Sequence, residues 1–289
     1  MNLLYITFGN NVAIHLQAAF SIYSFLAGKT PYSTINIVTD NPAYYQHLSE
    51  KVIIIPVTAA ELKSWEGEHR FFWRIKIKAL EKVAALYPDN PIVYLDTDTI
   101  FYGDTNILPD GLKTGQAFMH ENEGPISTQK SKTLKKMWKH IREKTYGTIP
   151  MVKHDGMWNA GVVAFPNNKG GEECKLALTI CDEMCAGGVT RRLIEQYALC
   201  VALGHHYHLS ESRNFIAHYW AVKENWNEKI SRFFLTAHFQ RWTFEQTILE
   251  FKDLDLTHLP VYERVRSTNL RIKNFADKMY PPENRIHLH

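Results

Sequence analysis

Apolar positions follow two rhythms along this chain. Short dense runs rich in branched and aromatic side chains suit buried strands, and longer stretches with apolar residues every three or four positions suit helices. Leu3 to Phe8 reads as the first strand and ends in Gly9-Asn10-Asn11, a turn with a helix N-cap. Val12, Leu16, Ala19, Tyr23 and Leu26 then repeat at helical spacing until Gly28 and Pro31 stop the helix. Thr34 to Thr39 is a second strand, a short helical piece spans Tyr44 to Ser49, and Val52 to Val57 is a third strand. This alternation predicts a doubly wound, mostly parallel α/β sheet.

The next helix is predicted over Phe71 to Tyr87, with Trp73, Ile77, Leu80, Ala84 and Tyr87 as its buried stripe and Arg70, Arg74 and Lys78 as a second, cationic stripe. Ile92 to Leu95 is a purely apolar strand, and Gln116 to His120 another. Lys130 to Lys144 carries seven basic residues and one acid beside a narrow apolar stripe. Lys153 to Pro166 places a polar turn before a short apolar strand, and Asn159-Ala160-Gly161 within it leaves room for another backbone or a ligand. Glu172 to Ala186 and Thr190 to Leu203 read as helices, and Ile216 to Trp226 follows. From Phe233 on no period is clear; residues 1–256 are taken as one domain and Thr257 to His289 as a helical extension.

At 289 residues the chain can bury a full core, and its 45% hydrophobic and 22% charged composition is ordinary for a globular protein. A net charge of +3 is too small to argue for nucleic acid and would not oppose a phosphorylated substrate. No apolar run is long enough to span a bilayer, and MNLLYITFGN lacks the features of a signal peptide. Cys174, Cys181 and Cys185 fall at helical spacing and fit no metal template, so they read as buried small hydrophobes of an intracellular, cytoplasmic protein. The basic segment Lys130 to Lys144 allows peripheral contact with the inner face of a membrane.

The candidate chemistry sits after the apolar strand, where Asp96 and Asp98 flank Thr97. Along an extended chain the two carboxylates would project to the same side. They would do so at the carboxyl end of a strand, where open α/β sheets bind ligands. Close carboxylates repel unless a cation lies between them, which points to a divalent metal held by oxygen. The first βα turn, TFGNN, has one glycine and so lacks the dinucleotide fingerprint. The clustered His205, His206 and His208 read as packing residues rather than ligands.

VYLDTDTI, preceded by an arginine-bearing helix and followed roughly 60 residues later by WNAGVVAF, resembles the nucleotide-sugar glycosyltransferases of the GT-A fold. It is most similar to the retaining family of glycogenin and the bacterial lipopolysaccharide galactosyl- and glucosyltransferases. The resemblance implies a Rossmann-like, mostly parallel sheet flanked by helices and a UDP-sugar donor. It also implies Mn2+ or Mg2+ held by Asp96, Asp98 and a late histidine, His218. The family's His-x-x-Gly-x-x-Lys-Pro-Trp pattern keeps its spacing of eight from His218 to Trp226, but Ala221, Glu224 and Asn225 depart from it, with Lys223 one place early as the phosphate contact. By the same resemblance Asn159 shapes the sugar side, Glu195-Gln196 stands where the family often has Asp-Gln, and Arg74 and Lys78 contact the donor phosphates or the aspartates. Thr7, Phe8 and Asp40 fall where the nucleotide base is held, and Asp155 or Glu195 would serve as base if the reaction inverted. The acceptor is a glycan, a lipid-linked glycan or a protein. Two other readings start from the same residues: a haloacid-dehalogenase-type phosphohydrolase with Asp96 as nucleophile, and a non-catalytic nucleotide-sugar-binding module.

Overall fold

The computed structural model describes residues 1–28, 30–263, 275 and 279. The chain opens as β1 (Asn2–Thr7), α1 (Val12–Leu26), β2 (Thr34–Thr39), a 3-10 turn at Pro42–Leu48, and β3 (Ile53–Pro56). Asn11 caps α1 by accepting the Ala13 N–H at 3.1 Å. Two helices, α2 (Ala59–Trp65) and α3 (Arg74–Leu86), lead to β4 (Ile92–Leu95) and the short β5 (Thr99–Phe101). The middle of the chain forms α4 (Ile107–Lys113), β6 (Gln116–Pro125), α5 (Lys132–Ile141), the hairpin of β7 (Thr145–Tyr146) and β8 (Ile149–Pro150), and β9 (Gly156–Phe165). The last third holds α6 (Glu172–Ala186), α7 (Ile194–His206), β10 (His208–Glu211), β11 (Ile216–His218), α8 (Lys223–Phe239) and α9 (Phe244–Lys252).

Seven strands make the central sheet in the order β10-β6-β9-β4-β1-β2-β3, and β9 is antiparallel to both of its neighbours. The remaining pairings of that sheet are parallel, as the strand–helix alternation predicts. One face carries α3, α5, α6 and α7 over a core that includes Leu80, Met137, Ile180 and Leu199. The other face carries α1, α4, α8 and α9 over Phe20, Leu108, Trp226 and Phe251. With apolar surface buried on both sides, the sheet interior admits few polar side chains, and its chemistry is confined to the strand ends.

Several expectations change. The helix expected from Phe71 starts at Arg74, because Arg70 adopts a left-handed φ of 48° and the chain turns through Phe72 and Trp73. Trp73 is accordingly half exposed instead of part of the buried stripe. Thr190 to Leu193 is a turn with a short 3-10 segment, and α7 begins only at Ile194. The stretch from Phe233, without a clear period in sequence, is helical for most of its length to Lys252: Phe233 of α8 and Thr247 and Phe251 of α9 are buried. Exposed Leu235, Phe239 and Leu249 on the same helices blur that stripe. Residues 257–263 carry no helix; Phe275 and Met279 are helical and exposed, and the rest of the expected extension, from 264 on, lies outside the described residues. The four cysteines are free and buried. Among the described residues no helix is long and apolar enough to cross a membrane.

Candidate active site

The site forms where β4 ends. Asp96 N–H donates to the Gly161 carbonyl at 2.8 Å, and Thr99 Oγ1 donates to the Asp96 carbonyl at 2.8 Å. Thr97 and Asp98 therefore form a turn that reverses the chain into β5, and the two aspartates converge through that turn, not through extended alternation as expected. From the other side β11 pairs with β5, and the Tyr219 N–H donates to the Asp98 carbonyl at 3.0 Å, which brings His218 over the pair. Its Nε2 lies 3.4 Å from Asp98 Oδ1 and 3.6 Å from Asp96 Oδ2. Ligand atoms of Asp96, Asp98 and His218 all fall within 4.8 Å of one another.

Asn159 decides which histidine nitrogen faces the carboxylates. Its Oδ1 accepts the Gly161 N–H at 2.9 Å and also faces His218 Nδ1 at 2.9 Å. An oxygen that already accepts a backbone N–H requires Nδ1 to be the protonated nitrogen, so the Nε2 lone pair of the neutral ring points at two anions. That arrangement is favourable only with a cation in the gap or with the ring itself charged. Two carboxylate oxygens and one imidazole nitrogen are a donor set that suits a divalent cation such as Mn2+ or Mg2+. Gly161 is what lets the ring come so close: a Cβ there would lie 2.2 Å from His218 Nδ1.

Cationic side chains complete the charge balance. Lys223 Nζ reaches Asp98 Oδ2 at 2.8 Å. Burial alone would raise the Asp98 pKa, but with no cation in the gap and the His218 ring charged, the hydrogen bond and charge of His218, with Lys223, hold it below the ordinary carboxylate range. Lys76, absent from the sequence-based candidates, is buried on α3 and reaches Asp96 Oδ1 at 3.2 Å, Glu195 Oε1 at 2.9 Å and the Ala160 carbonyl at 3.2 Å. Burial works against its ammonium, yet the carboxylates of Asp96 and Glu195 outweigh this and raise its pKa. Burial also pushes the Glu195 carboxyl up, with Lys76 opposing. The Tyr94 hydroxyl donates to Asp96 as well.

A cavity of about 500 Å³ runs along these groups; Thr7, Phe8, Asn159, Gln196 and Lys223 line it together with Asp96, Asp98 and His218. Other expected residues lie elsewhere. Arg74 is fixed to Asp182 by two hydrogen bonds of 2.7 and 2.9 Å and donates to the Trp65 carbonyl, and Lys78 pairs with Glu81 on its own helix. Neither touches the cavity, and Lys76 occupies the place expected of them. Asp40 accepts the Gly9 N–H at 3.0 Å and ties β2 to the loop after β1. Asp155 accepts the Val152 N–H at 2.8 Å and the Tyr197 hydroxyl at 3.2 Å, so it closes a turn outside the cavity wall. Glu195 sits behind the wall against Lys76, and its neighbour Gln196 faces the cavity. Glu123, Arg192 and Trp220 also line it and carried no sequence signal.

The galactosyltransferase LgtC, crystallised with donor and acceptor sugar analogues, matches 80% of this chain over 94% of its own length, with a TM-score of 0.53 at 12% identity. The chain has the GT-A glycosyltransferase fold. An active-site mutant of LgtC matches 74% of this chain and 74% of its own with a TM-score of 0.50 at 16% identity. No sequence-family model matches the chain, and no curated protein matches it in sequence. In this GT-A sheet the aspartate-bearing strand is the fourth in the chain and lies at the centre of the order, with three strands before it. A dehalogenase-type core, which opens with its nucleophile strand, is thereby set aside.

Proposed function

We propose that this protein is a metal-dependent glycosyltransferase that moves a sugar from a nucleotide-diphosphate donor, a UDP-sugar, to a glycan, lipid-linked or protein acceptor with retention at the anomeric carbon. The observation that carries the reading is the convergence of Asp96, Asp98 and His218 on one gap at the strand ends of a GT-A sheet. These three residues would hold Mn2+ or Mg2+, which when bound supplies positive charge to the diphosphate leaving group. In the transfer the anomeric carbon–oxygen bond breaks with its electron pair passing to the diphosphate. The acceptor oxygen bonds the same carbon, and its proton leaves to the departing phosphate oxygen.

The chain's own residues prepare that step. Lys223 sets a fixed cation beside Asp98, aimed at charge that develops on the leaving group. Lys76 offsets one of the two negative charges of Asp96 and Glu195, which lessens their repulsion of an anionic donor. Asn159 orients His218, and Gln196 offers an amide to the sugar side of the cavity. Thr7 and Phe8 line the cavity at the end of β1 and suit the base. The four unpaired cysteines support a reducing, cytoplasmic setting. The cations Lys135, Lys136 and Lys139 on the exposed face of α5 support contact with an anionic membrane surface, since Leu134, Met137 and Ile141 are used in the core.

The test is a thermal-shift titration with UDP, GDP and CDP, each with and without Mn2+. The expected result is stabilisation by UDP that needs the metal and vanishes in Asp98→Asn; a hundredfold ligand excess over Kd corresponds to about 2.7 kcal/mol. Stabilisation by no nucleotide under any condition would sink the reading. A nucleotide shift without hydrolysis of any UDP-sugar in the absence of acceptor favours the binding module.

A further inference from the structure

A second cavity, of about 670 Å³, meets the nucleotide-side cavity at His218 and has Tyr102, His120, Trp220 and Tyr262 in its walls. Through Tyr102, Ala217 and Val261 it borders a third, of about 580 Å³, for which the transfer step has no use. The third cavity lies between α1, β5 and the segment after α9, and Phe25, Phe101, Trp226, Phe251, Leu256 and Leu259 make much of its wall. The first four of these are buried core residues, so the concavity is a fixed part of the fold. The segment after α9 supplies its outer wall with Leu254 and Leu256, then Leu259 and Val261. Three hydrogen bonds hold that segment: the Leu254 N–H to the Phe251 carbonyl at 3.2 Å, the Leu259 N–H to the Leu256 carbonyl at 3.1 Å, and the Trp226 Nε1–H to the Pro260 carbonyl at 2.9 Å. Val261 and Tyr262 carry it on into the second cavity, so one stretch of chain lines both.

The polar groups of the third cavity decide what it can hold. Ser24 Oγ donates to the Ser21 carbonyl at 2.6 Å and accepts the Phe101 N–H at 3.0 Å. Thr105 pairs with Thr30, the Tyr102 hydroxyl donates to the Arg213 carbonyl at 2.6 Å, and Thr257 Oγ1 donates to Asp255 at 2.6 Å. Among the described residues no side-chain atom of this wall is both buried and unpartnered. A glycan or a peptide placed here would lose water from its hydroxyls or amides without gaining side-chain partners. A hydrocarbon chain carries no such groups. A dry apolar cavity of about 150 Å³ takes one benzene ring, so 580 Å³ has room for on the order of ten to twenty carbons.

We propose that the third cavity holds the hydrocarbon tail of a lipid-linked acceptor, whose polar end points past Tyr102 and Val261 toward His218. The proposal rests on the transferase reading and selects one acceptor class for it. Continuity carries the assignment: an apolar chamber closed off from the site could hold any small hydrophobe, whereas this one shares three wall residues with the cavity that reaches His218. A molecule spanning both must be amphiphilic, apolar in the third cavity and polar where Glu121, Glu123 and Gln129 line the second. Ala217, on the shared wall, directly precedes His218 in β11, so the tail is anchored one residue from the metal site.

The experiment is a calorimetric titration of the full chain with methyl, butyl, hexyl and octyl β-glucosides and β-galactosides below their micelle concentrations, each with and without UDP and Mn2+. The expected result, with at least one head group, is affinity that rises up to about fourfold per added CH2 and at least thirtyfold from butyl to octyl. Ala27→Phe fills the cavity from α1 and Leu256→Asp puts a charge in its outer wall; neither residue lines the other two cavities. Each variant should lower octyl glycoside affinity at least tenfold and keep the thermal shift by UDP and Mn2+. In the wild-type complex, bound Mn2+ should enhance NMR relaxation most at the sugar protons of the octyl glycoside and least at its terminal methyl. Octyl binding no tighter than butyl would overturn the proposal, as would wild-type octyl affinity in both variants or the reverse relaxation gradient. A wild-type chain with no nucleotide shift would instead overturn the transferase reading, and the chain-length series without nucleotide would still decide whether the cavity takes a tail.

Discussion

Gly161→Ala puts a methyl group where His218 lies. The added Cβ would sit 2.2 Å from Nδ1, 2.3 Å from Cε1 and 2.7 Å from Cγ of that ring, and ordinary contact begins near 3.4 Å, so the ring must retreat by about 1.2 Å. The backbone does not object, because Gly161 lies in strand β9 outside the positive-φ region that resists side chains. The retreat breaks the 2.9 Å contact with Asn159 and carries Nε2 away from Asp96 and Asp98. Losing a positioning partner of a metal ligand costs about 10- to 100-fold in metal affinity, about 1.4–2.7 kcal/mol. Overpacking of the strand adds a stability loss of about 1–3 kcal/mol. The assay is Mn2+ titration of the UDP-bound protein by calorimetry, with wild type, Gly161→Ala, His218→Ala and the double variant. The methyl has nothing to strike once the ring is gone, so Gly161→Ala in the His218→Ala background should change metal affinity by less than about 0.5 kcal/mol. Equal loss in both backgrounds, or unchanged affinity in Gly161→Ala alone, would refute the reasoning.

Arg74→Ala should leave the UDP–Mn2+ thermal shift unchanged and cost about 1 kcal/mol of stability, because its guanidinium serves Asp182 and the Trp65 carbonyl; a lost nucleotide shift would return Arg74 to the site. Lys76→Ala should destabilise the fold by about 3–5 kcal/mol by stranding Asp96 and Glu195, read by denaturant unfolding; a loss within 1 kcal/mol would count against the pairing. Burial first, and the neighbouring His218 charge second, push His120 down to about 4, against about 6.5 in the unfolded chain. The stability this represents is present above pH 6.5 and lost as pH falls towards 4, a contribution of about 3 kcal/mol that His120→Phe should remove; parallel pH dependence in both proteins would contradict it. Reversing Lys135, Lys136 and Lys139 to Glu should weaken cosedimentation with phosphatidylglycerol vesicles at low salt, by roughly 1 kcal/mol per residue; equal sedimentation removes the membrane role.

Local patterns in the chain carry much of the fold. The apolar run Ile92 to Leu95, the helical spacing from Val12 to Leu26 and the β-rich run Thr34 to Thr39 each mark an element whose ends match the structure, because strands buried on both faces and amphipathic helices leave a period that needs no tertiary knowledge. Asp96 and Asp98 are legible for the same reason, as two charges placed directly after such a strand. Lys76 is legible in the same way. On a helix it lies about 200° from Arg74, on the face of Leu80 and Val83, and a lysine on an apolar face is there only if something anionic waits for it.

What lies far apart in sequence was decided by packing. His218 reaches the aspartates only because β11 pairs with β5, and its ring fits only because Gly161 on β9 lacks a side chain. Arg74 and Lys78 share a period with the expected cationic stripe, yet Asp182 and Glu81 capture them. Asp155 is a candidate base in the sequence reading and a turn acceptor in the fold. The second cavity joins Tyr102, His120, Trp220 and Tyr262 from four separate stretches of chain, and no window along the sequence contains it. Periodicity reports the direction of a side chain relative to its own element; its partner depends on long-range contacts, and these are set by the whole sheet.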